Sequence, residues 1–131
     1  MKPILPTTIR APFARYSHAI EVPTGARLVF CSGQLGICPD DTIPETVEGQ
    51  AERCFDNIVA ILAEAGLTMA DVIRINAYVT DRRHMAGYMA VRDRYTADPP
   101  PASTLMIVSG FAREEFTVEI EAIAAGPARK E

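Results

Sequence analysis

The spacing of apolar residues changes period several times along the chain, and each change marks an element. SHAIEV (17–22) alternates weakly and runs into the turn PTG, which predicts a short first strand. ARLVFCSGQLG (26–36) predicts a buried strand that enters a glycine-bracketed loop. ICPDDTIPE (37–45) is rich in proline and aspartate and predicts a loop. The period then becomes helical, with Val47, Ala51, Cys54, Ile58, Ile61, Leu62 and Ala65 on one stripe. Thr46 or Thr42 supplies the cap of this helix, and Gly66 its stop. DVIRINAYVTD alternates cleanly, with Ile73, Ile75, Ala77 and Val79 expected on one face. A second helix carries Met85, Tyr88, Met89 and Tyr95 on one stripe and ends at DPPP. Two strands close the chain. Thr104–Val108 has large side chains on both faces, and the last puts Thr117, Glu119 and Glu121 opposite Val118, Ile120 and Ala122.

The predicted order is β-β-α-β-α-β-β, an α+β sheet packed on two helices. Strands 26–32 and 104–108 are apolar on both faces, yet two helices cover only one face of a sheet. A homo-oligomer that buries the open face is expected, with a closed, barrel-like monomer as the alternative. The 131 residues fit a single domain, 1–131, without repeat or linker.

Composition narrows the function classes. The net charge of −4 and pI of about 5.2 argue against a nucleic-acid partner held through phosphates. Neither a membrane span nor a signal-peptide pattern stands out. Cys31, Cys38 and Cys54 are an odd set without metal-site spacing, which reads as reduced structural thiols in a cytoplasm. No P-loop, GxGxxG or GxSxG is present, and His18 and His84 form no ligand pair for zinc. No metal and no cofactor are expected.

One residue breaks its helix pattern. Arg92 falls seven residues after Met85, four after Tyr88 and three before Tyr95, on the apolar stripe. Either its head snorkels to water or it needs an anion. Glu119 or Glu121 offers one within the protein, and a ligand carboxylate offers one from outside.

Five segments in collinear order carry a resemblance: APFARYSHAIEV, LVFCSGQLG, QAERCFDNIVAILAEAGLTMADVIRINAYVTD, YMAVRDRY and PPAST…VEIEAIA. Together they resemble the Rid/YjgF family of reactive intermediate deaminases, also known as endoribonuclease L-PSP. The resemblance spans roughly residues 12 to 125. It implies a chorismate-mutase-like two-layer fold, a homotrimer, and sites in clefts between subunits. It implies hydrolysis of a small imine or enamine to a 2-oxo acid and ammonia, without a cofactor. By the same resemblance, Glu119 positions or activates water and Glu121 is the second carboxylate of its motif. Tyr16 and Ser32 line the substrate pocket, and Leu105 holds the position whose backbone N–H assists.

The chain departs from the family at the carboxylate-binding arginine, whose position holds Ser103. The family's GPY reads Ala14-Arg15-Tyr16, and the asparagine often found on the second helix is Arg92. Arg92, or Arg15, is a candidate to replace the missing cation. Two readings follow: an imine or enamine deaminase altered by Ser103, or a binding or sensing module for a small metabolite, a carboxylate among the options, without turnover.

Overall fold

The computed structural model describes residues 1–128. Its strands are β1 (Lys2–Ile4), β2 (Ala19–Glu21), β3 (Arg27–Leu35), β4 (Val72–Val79), β5 (Ala102–Ile107) and β6 (Val118–Gly126). Its α-helices are α1 (Val47–Glu64) and α2 (Met85–Tyr95). The elements expected from periodicity are all present. β1 is additional: three residues hold no alternation to detect, and it forms only by pairing with β2 in a separate ribbon.

The main sheet has the order β3-β6-β4-β5. β6 runs antiparallel to both β3 and β4, while β4 and β5 are parallel. A parallel pair needs a crossover, and α2 supplies it. β3 and β5 are outer strands of this sheet and do not pair with each other, so the barrel-like alternative is not the one adopted.

α1 starts where Thr46 Oγ1 accepts the Gly49 N–H at 3.0 Å, the expected cap. Thr42 instead stays in the preceding loop, where its N–H and hydroxyl donate to Asp40. The helix ends at Gly66, whose φ of +72° favours a residue without Cβ. Ala51, Cys54, Phe55, Ile58 and Leu62 of α1 are fully buried against Ile75, Ala77, Val79, Val118, Ile120 and Ala124 of the sheet. One expectation fails at the start of β4. Val72, not Ile73, joins the buried face, because the register slips between Val72 and Arg74. A bulge there inserts one residue, and strict alternation cannot anticipate it.

Among the described residues, no element covers the sheet face away from the helices. Phe30 is 70% exposed on it, Met106 52% and Leu28 51%. Between these apolar positions runs a polar strip of Asn76, Tyr78, Glu119 and Glu121.

Candidate functional site

The two carboxylates of the last strand project from the open face of the sheet. Register sets Glu119 beside Tyr78 and Glu121 beside Asn76. Glu121 is pinned: Tyr78 donates its phenol O–H at 2.8 Å and Asn76 its Nδ2–H at 3.1 Å, both to Oε1. Accepting that bond holds the Tyr78 phenol in its protonated form and raises its pKa. No such bond engages Glu119 among the described residues. Its carboxyl lies instead across Gly33 of β3, where an added Cβ would meet Cδ at 2.8 Å. Gly33 sits in a second bulge, between Cys31 and Gln34, which also leaves Ser32 exposed. Ser32, Glu119 and Glu121 therefore share one patch, with one carboxylate fixed and the other free to bind.

Tyr16 lies beyond the opposite margin of the sheet. Ser17 bridges to Ala102 on the outer side of β5, its N–H donating to Pro101 O and its hydroxyl to Pro100 O. On the other side of Tyr16, the Arg15 guanidinium donates to the Thr96 hydroxyl, to Thr96 O and, at 2.8 Å, to Ala97 O. Tyr16 is thus stitched from both sides to the segment that leads into β5. Its own phenol oxygen accepts the Phe13 N–H at 3.3 Å. Arg15 serves the last carbonyls after α2, and all three of these acceptors are uncharged.

Ser103 and Leu105 turn the other way. Register pairs them with Ile75 and Ala77, the buried face of β4, so both point into the helix layer. Leu105 packs against the core. Arg92 is in the same layer at 3% exposure, which overturns the snorkelling alternative. Its acidic partner is neither Glu119 nor Glu121 but the adjacent Asp93, whose Oδ1 lies 3.0 Å from both Nε and Nη2. Tyr88, one turn earlier, is completely buried, with the Arg92 guanidinium carbon 5.9 Å from its ring centre. Burial raises the Tyr88 pKa strongly and keeps the phenol neutral, against an opposing pull from Arg92.

Within one chain the candidate residues therefore fall into two groups. Ser32, Glu119 and Glu121 lie on the open face, and Tyr16, Ser103, Leu105 and Arg92 lie around β5. Three interstrand steps of about 4.8 Å separate β3 from β5, so Ser32 and Ser103 stand about 14 Å apart across the sheet. That exceeds the reach of one small ligand. Gly33, Asn76 and Tyr78 join the patch without having been picked out from sequence. Asn76 and Tyr78 were visible only as the polar half of an alternating strand. Among the described residues, no group of three or more His, Cys, Asp or Glu could hold a metal ion, and no helix is long and apolar enough to cross a membrane.

The sequence profile of the family described as Endoribonuclease L-PSP matches residues 8–126. Protein DfrA of Myxococcus xanthus is 37% identical over 111 residues, 83% of each chain. TdcF of Escherichia coli, by name a reactive intermediate deaminase, is 34% identical over 129 residues, 95% of this chain and 97% of its own. The crystal structure of YyfB from Yersinia pestis, a Rid-family protein of unknown function, superposes with a TM-score of 0.81 at 26% identity. It covers 94% of this chain and 96% of its own.

Proposed function

This chain belongs to the endoribonuclease L-PSP family, also called Rid/YjgF, and on that premise we propose that it hydrolyses a small reactive imine or enamine in clefts between subunits of a homotrimer. Residues 1–131 act in this reading as one domain. A cleft between copies places the β5 margin of one chain, with Tyr16, against the open face of another, with Glu119. The separation of the two half-sites supports this arrangement, because a single chain cannot close both around one ligand.

The observation that carries the reading is the contrast between the two carboxylates. Glu121 has its partners and is a fixed charge, whereas Glu119 rests on Gly33 with its oxygens uncommitted. A free carboxylate can accept a proton from water as the oxygen adds to the C=N carbon. That proton passes to nitrogen to give a carbinolamine, whose hydroxyl proton follows it as the C–N bond breaks, releasing ammonia and leaving the carbonyl; an enamine first tautomerises to the imine. Tyr16 and Ser32 would orient the substrate, Ser103 and Leu105 would border it through their backbone only, and Glu121 would hold the patch rigid. No step calls for a metal or cofactor.

The test uses 2-aminoacrylate generated in place, with pyruvate and ammonia as products. The parent should accelerate pyruvate release, and Glu119→Gln should cut the rate by about a hundredfold, the usual scale for a lost general base. A second reading, a metabolite-binding module without turnover, draws on Ser103. The Ser103 hydroxyl faces the helix layer, so this position offers a substrate carboxylate no charged donor. Saturable binding of 2-oxo acids without any rate enhancement would favour that reading.

A further inference from the structure

At the Val72 end of β4 the sheet carries a cavity of about 270 Å³, walled by residues of one chain. Register fixes its floor, since Arg74 of β4 stands between Ala102 of β5 and Ile123 of β6. The bulge after Val72 adds Ile73. Consecutive strand residues normally point to opposite faces, but here Ile73 and Arg74 both line the cavity. His18 and Ala19 close the far side, beyond the outer edge of β5, where Ser17 bridges to Ala102. The His18 ring is held in place by its Nε2–H, which donates to Arg10 O at 2.8 Å.

Arg74 stands out against these walls. Ala19, Ile73, Ala102 and Ile123 are apolar, and Arg74 itself is half-buried. A guanidinium has five N–H groups. Among the described residues, the one side-chain bond of Arg74 goes to a neutral acceptor, Thr104 Oγ1, at 2.8 Å. No carboxylate forms an ion pair with it among those residues. The next acid along β6, Glu121, accepts from Tyr78 and Asn76 instead. A guanidinium keeps its charge in any surroundings, and apolar walls strengthen its attraction for an anion. An open fork beside apolar walls matches a ligand with a carboxylate at one end and a short hydrocarbon at the other.

We propose that this cavity is a binding site for a small aliphatic monocarboxylate, with Arg74 as its bidentate anchor and Ala19, Ile73, Ala102 and Ile123 around the hydrocarbon part. Its volume falls just below the roughly 300–1,000 Å³ of drug-sized pockets, which suits a ligand of a few carbons. All its walls come from one chain, whereas the deaminase cleft needs two, so the site does not rest on the deaminase reading.

Calorimetric titration of the full chain with 3-methylbutanoate tests the proposal, with the uncharged 3-methylbutanamide as control. The acid should bind saturably, and the amide about tenfold more weakly or worse, the scale of a lost charged hydrogen-bond partner. Arg74→Met keeps the stem and removes the fork, so it should weaken acid binding by a similar factor. Ala19→Leu fills the cavity and keeps Arg74. It should weaken acid binding too, and it serves if the methionine variant does not fold. Turnover of 2-aminoacrylate should be the same in Arg74→Met as in the parent. A crystal soaked in the acid should show its carboxylate on the Arg74 guanidinium. Equal acid affinity in the parent and Arg74→Met, or a carboxylate of a second copy seated on Arg74, overturns the proposal. If Arg74→Met loses enamine hydrolysis together with acid binding, the cavity is part of the deaminase cleft, and the separate site is overturned.

Discussion

Two glycines three residues apart on β3 and its exit have opposite sensitivities. A Cβ on Gly33 would meet the Glu119 side chain, Cδ at 2.8 Å, Oε2 at 2.9 Å and Cγ at 3.1 Å. That side chain can swing aside. A Cβ on Gly36 would meet Cβ and Cα of Gln50 at 2.6 and 2.7 Å, and a helix backbone cannot swing. Gln50 is itself fixed, donating to Pro44 O and Glu115 O and accepting from the Thr117 N–H and hydroxyl. Gly33→Ala should therefore leave the urea midpoint nearly unchanged and lower turnover or ligand affinity by about tenfold, through Glu119 alone. Gly36→Ala should cost about 1–3 kcal/mol of stability, the usual range for forced overpacking. A large loss of stability in Gly33→Ala would mean that the carboxylate is not the part that yields. Little of this was legible beforehand. SGQLG announced a glycine-bracketed loop, but which glycine faces a carboxylate and which a helix depends on the bulge between Cys31 and Gln34.

At the scale of elements, α1 is tied to α2 and to β3 by groups that must stay neutral. Tyr95 stacks on Phe55 at 5.0 Å and donates to Asp56 Oδ1 at 2.6 Å. Burial first, and then this bond to a carboxylate, push its pKa from 10.0 to about 12. Burial pushes Cys54 from 9.0 to about 12, with the Glu119 charge adding to it, and its thiol donates to Gln34 O. Both groups are acids whose folded pKa lies above the unfolded one. Their contribution is whole below pH 9 and is lost as pH rises toward 12. The urea midpoint should begin to fall above pH 9. Cys54→Ala should flatten the first part of that fall, and Tyr95→Phe the part above pH 10. A midpoint constant to pH 11 would show that neither proton matters to the fold. Element identity was the readable level of this protein, since the stripe through Val47, Ala51, Cys54, Ile58 and Leu62 is the buried face of α1. Pairing partners were less readable. Arg92 stood out on its stripe, but nothing in the spacing singles out Asp93 over the glutamates, because neighbouring helix residues do not normally face each other.

For the whole molecule, the unanswered demand is the uncovered sheet face. The sequence pattern already contained it: Leu28 and Phe30 alternate with Val29 and Cys31, and each pair is apolar. The structure turns Cys31 into the core and leaves Phe30 at 70% exposure. Burying one phenylalanine side chain stabilises by about 1.5–3 kcal/mol, and every copy that joins repeats the gain. Three members of the polar strip beside it, Asn76, Tyr78 and Glu121, already bond one another within the chain, which lowers the cost of covering them. Assembly through this face would also bring a β5 margin close to Glu119, so loss of assembly and loss of activity should go together. Phe30→Asp is the discriminating change. It points away from the core, so the monomer should keep its fold by circular dichroism. Native mass spectrometry should then shift from three times the 14.3 kDa chain mass to the single chain, and enamine hydrolysis should vanish even though Glu119 and Tyr16 are untouched. If the parent is monomeric at micromolar concentration, or if monomeric Phe30→Asp retains full turnover, the site is complete in one chain and the two half-sites are unrelated.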